Sequence, residues 1–372
     1  MANADSVLLR PSLFRTLFFV AIAGVSVVLI DSVLAGTERR ETALAAARFD
    51  REGQALMGRG QYAAAANAFR SAIANERGNT EYPLALGQAL LDAGQLDEAG
   101  DTLTDLLEAD SMAGAPNLAM ARVFAKEGQF EDAAFYYHRA IYGQWKGDAQ
   151  GYAENNRVKA RFELADFLAA RNSKAELLAE LLPLQEQAPG DYDTQMKLGR
   201  LYMTAGAPGR AASLFHDLVR EYPRNADVLL GLGGADFAQG NYADAESAYN
   251  SVLRLRPGDL VAKKQAELCG EVLDLDPLRR GLDAAERYRR SVLVLQMVVD
   301  RVGQCSGVAA DLAEAANSAL NRQVSGAGQS DAVEANLEVA NKLWQAGCAG
   351  MSSGGEALGL VLSKDGQSRV SQ

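Results

Sequence analysis

Small, apolar and polar positions recur through the middle of the chain with a period of 34 residues. One column of this pattern holds glycine or asparagine in six copies, and its only irregular step is one of 44 residues after the third copy. Its members are Gly60, Gly94, Gly128, Asn172, Gly206 and Gly240. Glycine and asparagine adopt a positive φ most readily, so this column predicts a turn that follows a helix.

The columns on either side of the turn predict two helices that cross closely. Nine residues after the turn stands a large apolar residue, and seven before it stands glycine or alanine. The large residues are Phe69, Leu103, Tyr137, Leu181, Phe215 and Tyr249, and the small ones are Gly53, Gly87, Ala121, Ala165, Gly199 and Gly233. These offsets mark one buried face per helix, with room for a neighbour at the small residue. Pro189, Pro223 and Pro257 end the second helix.

This spacing resembles the tetratricopeptide repeat family, over about residues 46–257 and six repeats. The resemblance implies an all-α fold, a right-handed α-solenoid of helix-turn-helix repeats in which each hairpin covers the next. A ten-residue insertion near 143–157 explains the longer step. We expect a capping helix at 258–275, a C-terminal helical bundle at 276–363 and a disordered tail at 364–372.

Residues 1–36 form a separate segment, with an uncharged apolar run from Thr16 to Ile30. One interpretation is a signal peptide cleaved near Ala35. The other is an uncleaved membrane anchor from about Ser12 to Leu34, with Arg15 at the interface. Both place the chain in the cell envelope, either anchored in the inner membrane with the repeats in the periplasm or exported after cleavage.

Composition narrows the classes of function. A formal net charge of −11 argues against a nucleic-acid partner, because phosphate binding requires clustered Lys and Arg. With two histidines, three cysteines and no catalytic motif, we expect no enzyme activity, no cofactor and no metal site. The "GLGG" stretch at 231–234 lies within a first helix of the repeat, so it predicts close helix packing rather than a phosphate loop.

The resemblance also implies where a partner protein or peptide binds, since the first helix of each repeat lines the concave groove. Carried over by phase, the partner-binding residues are Gln54, Met57, Gln88, Asp92, Arg122, Lys126, Asp166, Arg200, Met203 and Phe237. Arg122, Lys126 and Arg200 predict a basic centre for this groove. Leu84 and Gln88 stand where the family's carboxylate clamp has Lys and Asn, so that clamp is not expected.

Trp145 and Tyr152 lie in the insertion. Two interpretations remain open: the rings pack locally against the joint between repeats, or they form an exposed aromatic grip for a partner.

Cys305 and Cys348 flank two helices expected to fold back on one another. Antiparallel packing and an oxidising compartment predict a disulfide between them. Cys269 is expected to be a small buried residue of the capping helix.

These features predict a non-catalytic protein-protein interaction scaffold or assembly factor on the outer side of a membrane, with the partner in the concave groove. The alternative is a structural subunit of a larger membrane-associated complex.

Overall fold

The computed structural model describes residues 11–147, 151–303, 309–347 and 355–370. For residues 11–17, 27, 28, 30, 31, 33, 34, 327 and 364–370 it describes the backbone alone.

Within these ranges the chain is α-helical and contains no β-strand. The helices are α1 (Pro11–Met57), α2 (Tyr62–Asn75), α3 (Glu81–Asp92), α4 (Leu96–Ala109), α5 (Gly114–Glu127), α6 (Phe130–Tyr142), α7 (Tyr152–Ala170), α8 (Lys174–Gln187), α9 (Tyr192–Thr204), α10 (Pro208–Glu221), α11 (Ala226–Ala238), α12 (Tyr242–Leu255), α13 (Leu260–Leu275), α14 (Ala284–Val302), α15 (Ala310–Asn321), α16 (Gln329–Ala346) and α17 (Glu356–Val370). The chain divides into two compact units, Met1–Phe167 and Leu168–Gln372.

In the first unit successive helices from α1 to α6 pack against one another as stacked hairpins. Phe69, Leu90 and Leu103 are fully buried in the apolar cluster between them. In the second unit α9 to α13 stack in the same way. Both units therefore show the helical hairpins that the period predicts.

The predicted turn column has the predicted backbone. Gly60, Gly94, Gly128, Asn172, Gly206 and Gly240 have φ of 72°, 79°, 77°, 58°, 74° and 77°. This left-handed conformation favours glycine and tolerates asparagine, which accounts for the composition of the column.

The small column lies directly beneath the large one. A Cβ added to Gly53 would lie 2.5 Å from the Phe69 ring, and one added to Gly199 would lie 2.6 Å from the Phe215 ring. Within the "GLGG" stretch, a Cβ on Gly231 would lie 2.7 Å from the Phe215 ring of the preceding helix, and one on Gly233 would lie 2.8 Å from the Tyr249 ring of the following helix. The prediction of close helix packing there is confirmed.

The second unit continues beyond its repeats into a helical bundle. α14, α15, α16 and α17 pack in sequence order, and α17 also packs on α13. One apolar cluster extends from Ala226 to Leu362. Ser291 and Asn336 are buried within the bundle, where the Asn336 amide donates to the Ser291 hydroxyl at 3.0 Å. The bundle and the last repeat therefore share a core.

α1 continues without a break from the apolar run into the first repeat, where Ala46 is buried. Among the residues that the structure describes, no helix is long and apolar enough to cross a membrane. Several side chains of the apolar run lie outside that description.

Two other features bear on the sequence-based expectations. The structure gives α17 a helical backbone to Val370, and the disordered tail expected at 364–372 stays a prediction. The first turns of α17 are held by buried Leu358, Val361 and Leu362, which favours propagation of the same helix. Cys305 and Cys348 lie outside the described residues, so their disulfide stays a prediction. Cys269 is fully buried in α13, and burial raises the pKa of its thiol to about 11.

Candidate functional site

A cavity of about 540 Å³ lies in the first unit between the first helices of successive repeats. We call it the groove. Three columns of the repeat line it: Asp50, Leu84 and Leu118; Gln54, Gln88 and Arg122; and Glu81, Ala115 and Lys159. Positions three, four and seven residues apart share one helix face, so the three columns form one continuous surface.

The structure brings three of the predicted partner-binding residues, Gln54, Gln88 and Arg122, into the lining of this groove. Met57 packs at the edge of the apolar cluster instead. Asp92 and Asp166 are exposed, and neither lines the groove.

Arg122 is not a free cation. Its Nε donates to Oε2 of Glu163 at 2.8 Å, and its Nη2 donates to Oε1 of the same carboxylate at 2.7 Å. Burial lowers the pKa of Arg122, but the hydrogen bonds and charge of Glu163 more than offset this, so the pKa is raised. Beneath the pair, burial and the Glu163 charge raise the pKa of Tyr137 to about 12. The pair ties α5 to α7 and neutralises the charge of the arginine.

Lys126 is also engaged. Its Nζ donates to the Leu91 carbonyl at 2.8 Å and lies 4.0 Å from the Asp92 carboxylate. The basic centre expected from Arg122 and Lys126 is therefore balanced by neighbouring acceptors within the first unit.

Other polar side chains of the groove have atoms that are available to a ligand. Among the described residues, Asp50, Glu81 and Lys159 form no ion pair, and the side-chain amides of Gln54 and Gln88 form no hydrogen bond. The groove can thus present amides, two carboxylates and one ammonium group.

The insertion is fixed to the preceding repeat by a short parallel bridge. Gly114 N donates to the Gln144 carbonyl, and Gln144 N donates to the Met112 carbonyl, both at 2.7 Å. The Trp145 indole covers Gly114, where a Cβ would lie 2.5 Å from the ring, and its Nε1 donates to the Ala140 carbonyl at 2.9 Å. The indole therefore packs locally, with its only donor engaged.

Tyr152 begins α7 and remains exposed, with its ring over Gly147. Trp145 and Tyr152 both line the groove. They also line a second, smaller cavity of about 120 Å³ at the insertion. We call it the side cavity. The ring of Trp145 thus belongs both to the local packing and to the surface open to a ligand.

The remaining predicted groove residues lie in the second unit. Arg200 is exposed on α9 and acts on Asp227, whose pKa is lowered first by its hydrogen bonds to Arg256 and then also by Arg200. Met203 is half-buried. Phe237 packs edge-on against Tyr242, with ring centroids 5.3 Å apart.

In the described part of the chain no three His, Cys, Asp or Glu side chains are grouped to hold a metal ion. His138 is half-buried beside Tyr142, and His216 is exposed on α10.

Asp50, Glu81 and Lys159 were missed by the sequence-based reasoning. A signal was present, because Glu81 and Lys159 stand seven positions before Gln88 and Asp166. Residues seven apart share a helix face, so this column could have been added from the period alone.

Models of tetratricopeptide repeats match the chain at residues 56–123 and 196–259. The chain is 27% identical over 221 residues to a putative cellulose synthase operon protein C of Escherichia coli O157:H7. The aligned segment covers 58% of this chain and 19% of that protein. It is 30% identical over 99 residues to cellulose synthase operon protein C of Pseudomonas fluorescens, 27% of this chain and 8% of that one. The chain thus spans only about a fifth of the length of the Escherichia coli relatives that it matches.

Among solved structures, the chain is similar to YrrB, described as a tetratricopeptide-repeat protein with an unusual peptide-binding site. The TM-score is 0.42 and the identity 18%, over 54% of this chain and 99% of that one. It is also similar to the C-terminal part of a repeat-containing protein of Cytophaga hutchinsonii, with a TM-score of 0.46 and 15% identity over 66% of this chain and 94% of that one.

The two segments matched by the family models lie in different units, and each contains stacked helical hairpins with glycine turns 34 residues apart. Both units of the chain therefore contain tetratricopeptide repeats.

Proposed function

We propose that this protein is a non-catalytic scaffold or assembly factor that binds an extended segment of a partner protein in the groove of its first unit. The observation that carries this proposal is the groove itself. Its three columns lie on one surface, and Gln54, Gln88 and Lys159 have side-chain polar groups that no described residue engages.

The chemistry of the groove suits a peptide backbone. A glutamine amide can donate and accept at once, as an extended backbone requires. Gln54 and Gln88 stand at the same position of adjacent repeats. Packed helices are about 8–10 Å apart and an extended chain rises about 3.3 Å per residue, so each repeat matches about three residues of a bound segment.

Photocrosslinking in intact cells tests the groove. A photoreactive amino acid at Gln88 should give one major product, mapped by mass spectrometry to one short segment of one partner. The matched control is the same probe at Thr104, which is exposed on α4 and lines neither cavity. Leu84→Asp in the groove should remove the product at position 88. Equal products from both probe positions, or a product that survives Leu84→Asp, would refute the groove as the binding site.

We further propose that the protein works in the cell envelope, held at a membrane by the first part of α1. Phe18, Phe19, Val20, Ile22, Val25 and Leu29 are exposed there, at 46% to 68% of their surface. At 100° per residue these positions surround the helix, and a helix that is apolar all round requires an apolar environment. The uninterrupted course of α1 favours an anchor over a cleaved signal.

Fractionation separates these alternatives. The anchor predicts a mature chain that keeps its N-terminal segment and stays with membranes in carbonate. A mature N-terminus at Gly36 or Thr37, with the chain in the soluble envelope fraction, would show cleavage. Recovery of the whole chain from the cytosol would contradict both.

A second candidate is a structural subunit of a larger membrane-associated complex. It is favoured by exposed aromatic side chains on α6, where Phe135 and Tyr142 are 54% and 67% exposed. Permanent assembly predicts that the protein purifies from mild detergent with stoichiometric partners. Purification as a stable monomer would exclude it.

The names of the relatives suggest one setting for either role, beside a polysaccharide synthase. Co-purification of a glycosyltransferase with the tagged protein would support this setting. A crosslinked partner from an unrelated assembly would remove it.

A further inference from the structure

The side cavity does not belong to the repeat itself. It lies between the start of α3, the end of α4, the start of α5 and the insertion. Leu84, Leu106, Pro116 and the ring of Trp145 give it apolar walls. Its volume of about 120 Å³ is enough for a long side chain, although not for a folded element.

The indole donor and the ammonium group of the side cavity are already engaged. Trp145 Nε1 donates to the Ala140 carbonyl, and Lys146 Nζ lies 3.3 Å from Oδ2 of Asp110. The other oxygen of Asp110 accepts from Met112 N at 3.2 Å. The carboxylate of Glu81, in contrast, has no cation within the described residues. Besides the polar side chains of Thr80 and Gln144, the side cavity offers a ligand a free carboxylate and aromatic rings.

We propose that the side cavity binds an arginine or lysine side chain of the partner segment that occupies the groove. The aliphatic stem would lie along Leu84, Leu106 and Pro116. The charged head would pair with Glu81 and lie against the aromatic rings of Trp145 and Tyr152, which attract cations through their faces.

Charge and burial select this side chain over the alternatives. Glu81, Asp110 and Lys146 together carry one net negative charge, so an acidic side chain is repelled. An apolar side chain would cover Glu81 without a counter-charge, and desolvation of an unpaired carboxylate is costly.

The groove and the side cavity share part of their lining, namely Glu81, Leu84, Ala115, Trp145 and Tyr152. A segment in the groove can therefore send one side chain into the side cavity. This inference rests on the proposed function and adds to it a specificity that the repeat alone does not provide.

Labelled peptides test the inference on the full-length protein. The probes are acetylated seven-residue peptides of alanine and glutamine whose central residue is arginine, norleucine or glutamate. Fluorescence anisotropy in low salt should show the arginine peptide binding at least tenfold more tightly than the norleucine peptide, about 1.4 kcal/mol. The glutamate peptide should be the weakest of the three.

The decisive variant is Glu81→Gln, which keeps the shape and removes the charge. It should abolish the preference for arginine, because the arginine peptide loses its counter-charge and the norleucine peptide no longer covers an unpaired carboxylate. The matched control is Glu108→Gln, since Glu108 is exposed near the end of α4 and lines neither cavity. Circular dichroism checks that both variants fold.

Fluorine NMR locates the binding. The chain has two tryptophans, Trp145 and Trp344, so 5-fluorotryptophan labelling gives two resonances that Trp344→Phe assigns. The arginine peptide should shift the resonance of Trp145 alone.

Equal binding of the arginine and norleucine peptides, a preference that survives Glu81→Gln, or no binding at millimolar peptide would each overturn the proposal. Crosslinking at Gln88 is a separate readout. If it still captures one partner, the groove stands and only the side cavity fails; if it also fails, the proposed function fails with it.

Discussion

The column that contains Glu81 in the first unit contains Asp227 in the second, and the two carboxylates are in opposite states. Glu81 has no ion pair among the described residues and lines two cavities. Asp227 is held by Arg256 through two hydrogen bonds of 2.8 and 3.0 Å, and these bonds lower its pKa. The same register predicts the same helix face, but the local neighbours determine whether the side chain is free.

The apolar positions differ in the same way. Leu84 of the first unit borders both cavities. Its counterpart Leu230 packs against the large apolar cluster of the second unit, which continues into the C-terminal bundle. The contrast shows that one repeat pattern lines an open groove in one unit and forms part of a structural core in the other.

The largest expected change in the free energy of unfolding tests whether the two units have different roles. Phe215 is 1% exposed and lies against Gly199 and Gly231 of the second unit. Phe215→Ala should lower the free energy of unfolding by about 3–5 kcal/mol, because it removes the ring and leaves a cavity. Chemical denaturation measures this loss.

Peptide binding in the groove should be unchanged by Phe215→Ala wherever the second unit remains folded. The matched variant Phe69→Ala, in the first unit, should cost a similar amount and weaken peptide binding. If both variants weakened binding equally under conditions where the protein is folded, the division of roles between the units would be wrong.

The Arg122–Glu163 pair tests the first unit alone. Glu163→Gln leaves a half-buried guanidinium without its charged acceptor, so we expect a loss of about 1.5–3 kcal/mol in the free energy of unfolding. A double-mutant cycle with Arg122→Met should show a coupling energy of similar size. A coupling near zero would mean that Arg122 is available to a ligand after all, as the sequence suggested.

The fold was largely predictable, because the repeated positions hold residues chosen by steric requirements, such as a positive φ or room for a neighbouring ring. Positive φ at the turn column and contact between Gly53 and Phe69 follow from backbone freedom and side-chain size, which each residue carries with it. The first turns of α17 were not predictable in this way. Its helix depends on burial of Leu358 and Leu362 against the rest of the bundle, a tertiary effect.

The site was predictable in part. Register placed Gln54, Gln88 and Arg122 on the lining of the groove. The neutralisation of Arg122 was not predictable, because its partner lies 41 residues away across the insertion. Electrostatic state depends on neighbours in space, and a single sequence does not show them.

A smaller effect is expected where a polar group interrupts the core of the second unit. Asp236 is 4% exposed, and its Oδ2 has no hydrogen-bond partner within the described residues. Burial raises the pKa of this carboxyl, His216 partly offsets the rise and Asp244 adds to it. Asp236→Leu should therefore raise the free energy of unfolding by about 1–2 kcal/mol.

The pH dependence of Asp236 follows from the direction of its shift. Its pKa in the folded protein lies above the ordinary 3.8, so its favourable contribution is full below that value and is lost as pH rises through the folded pKa. As the pH rises from 3.8 to the pKa of Asp236 in the folded protein, the free energy of unfolding should fall more steeply in the native protein than in Asp236→Leu. Asp244→Asn removes a charge that adds to the shift, so its profile should fall less steeply than that of the native protein. Parallel pH profiles for the native protein and Asp236→Leu would show that the buried carboxyl has no such role.

The smallest expected effect distinguishes two glycines of the "GLGG" stretch in α11. A Cβ on Gly234 would meet only the Tyr249 hydroxyl, at 3.9 Å, an ordinary contact. Gly234→Ala should therefore raise the free energy of unfolding by about 0.5–1 kcal/mol, since alanine loses less backbone freedom in a helix. At Gly231 a Cβ would lie 2.7 Å from Phe215, a buried ring with little room to move, so Gly231→Ala should destabilise. Urea denaturation of both variants, compared at equal m-values, measures the difference in sign. If both substitutions stabilised the protein, the packing of this stretch would be looser than the structure shows, and its glycines would have to be explained by something other than helix contact.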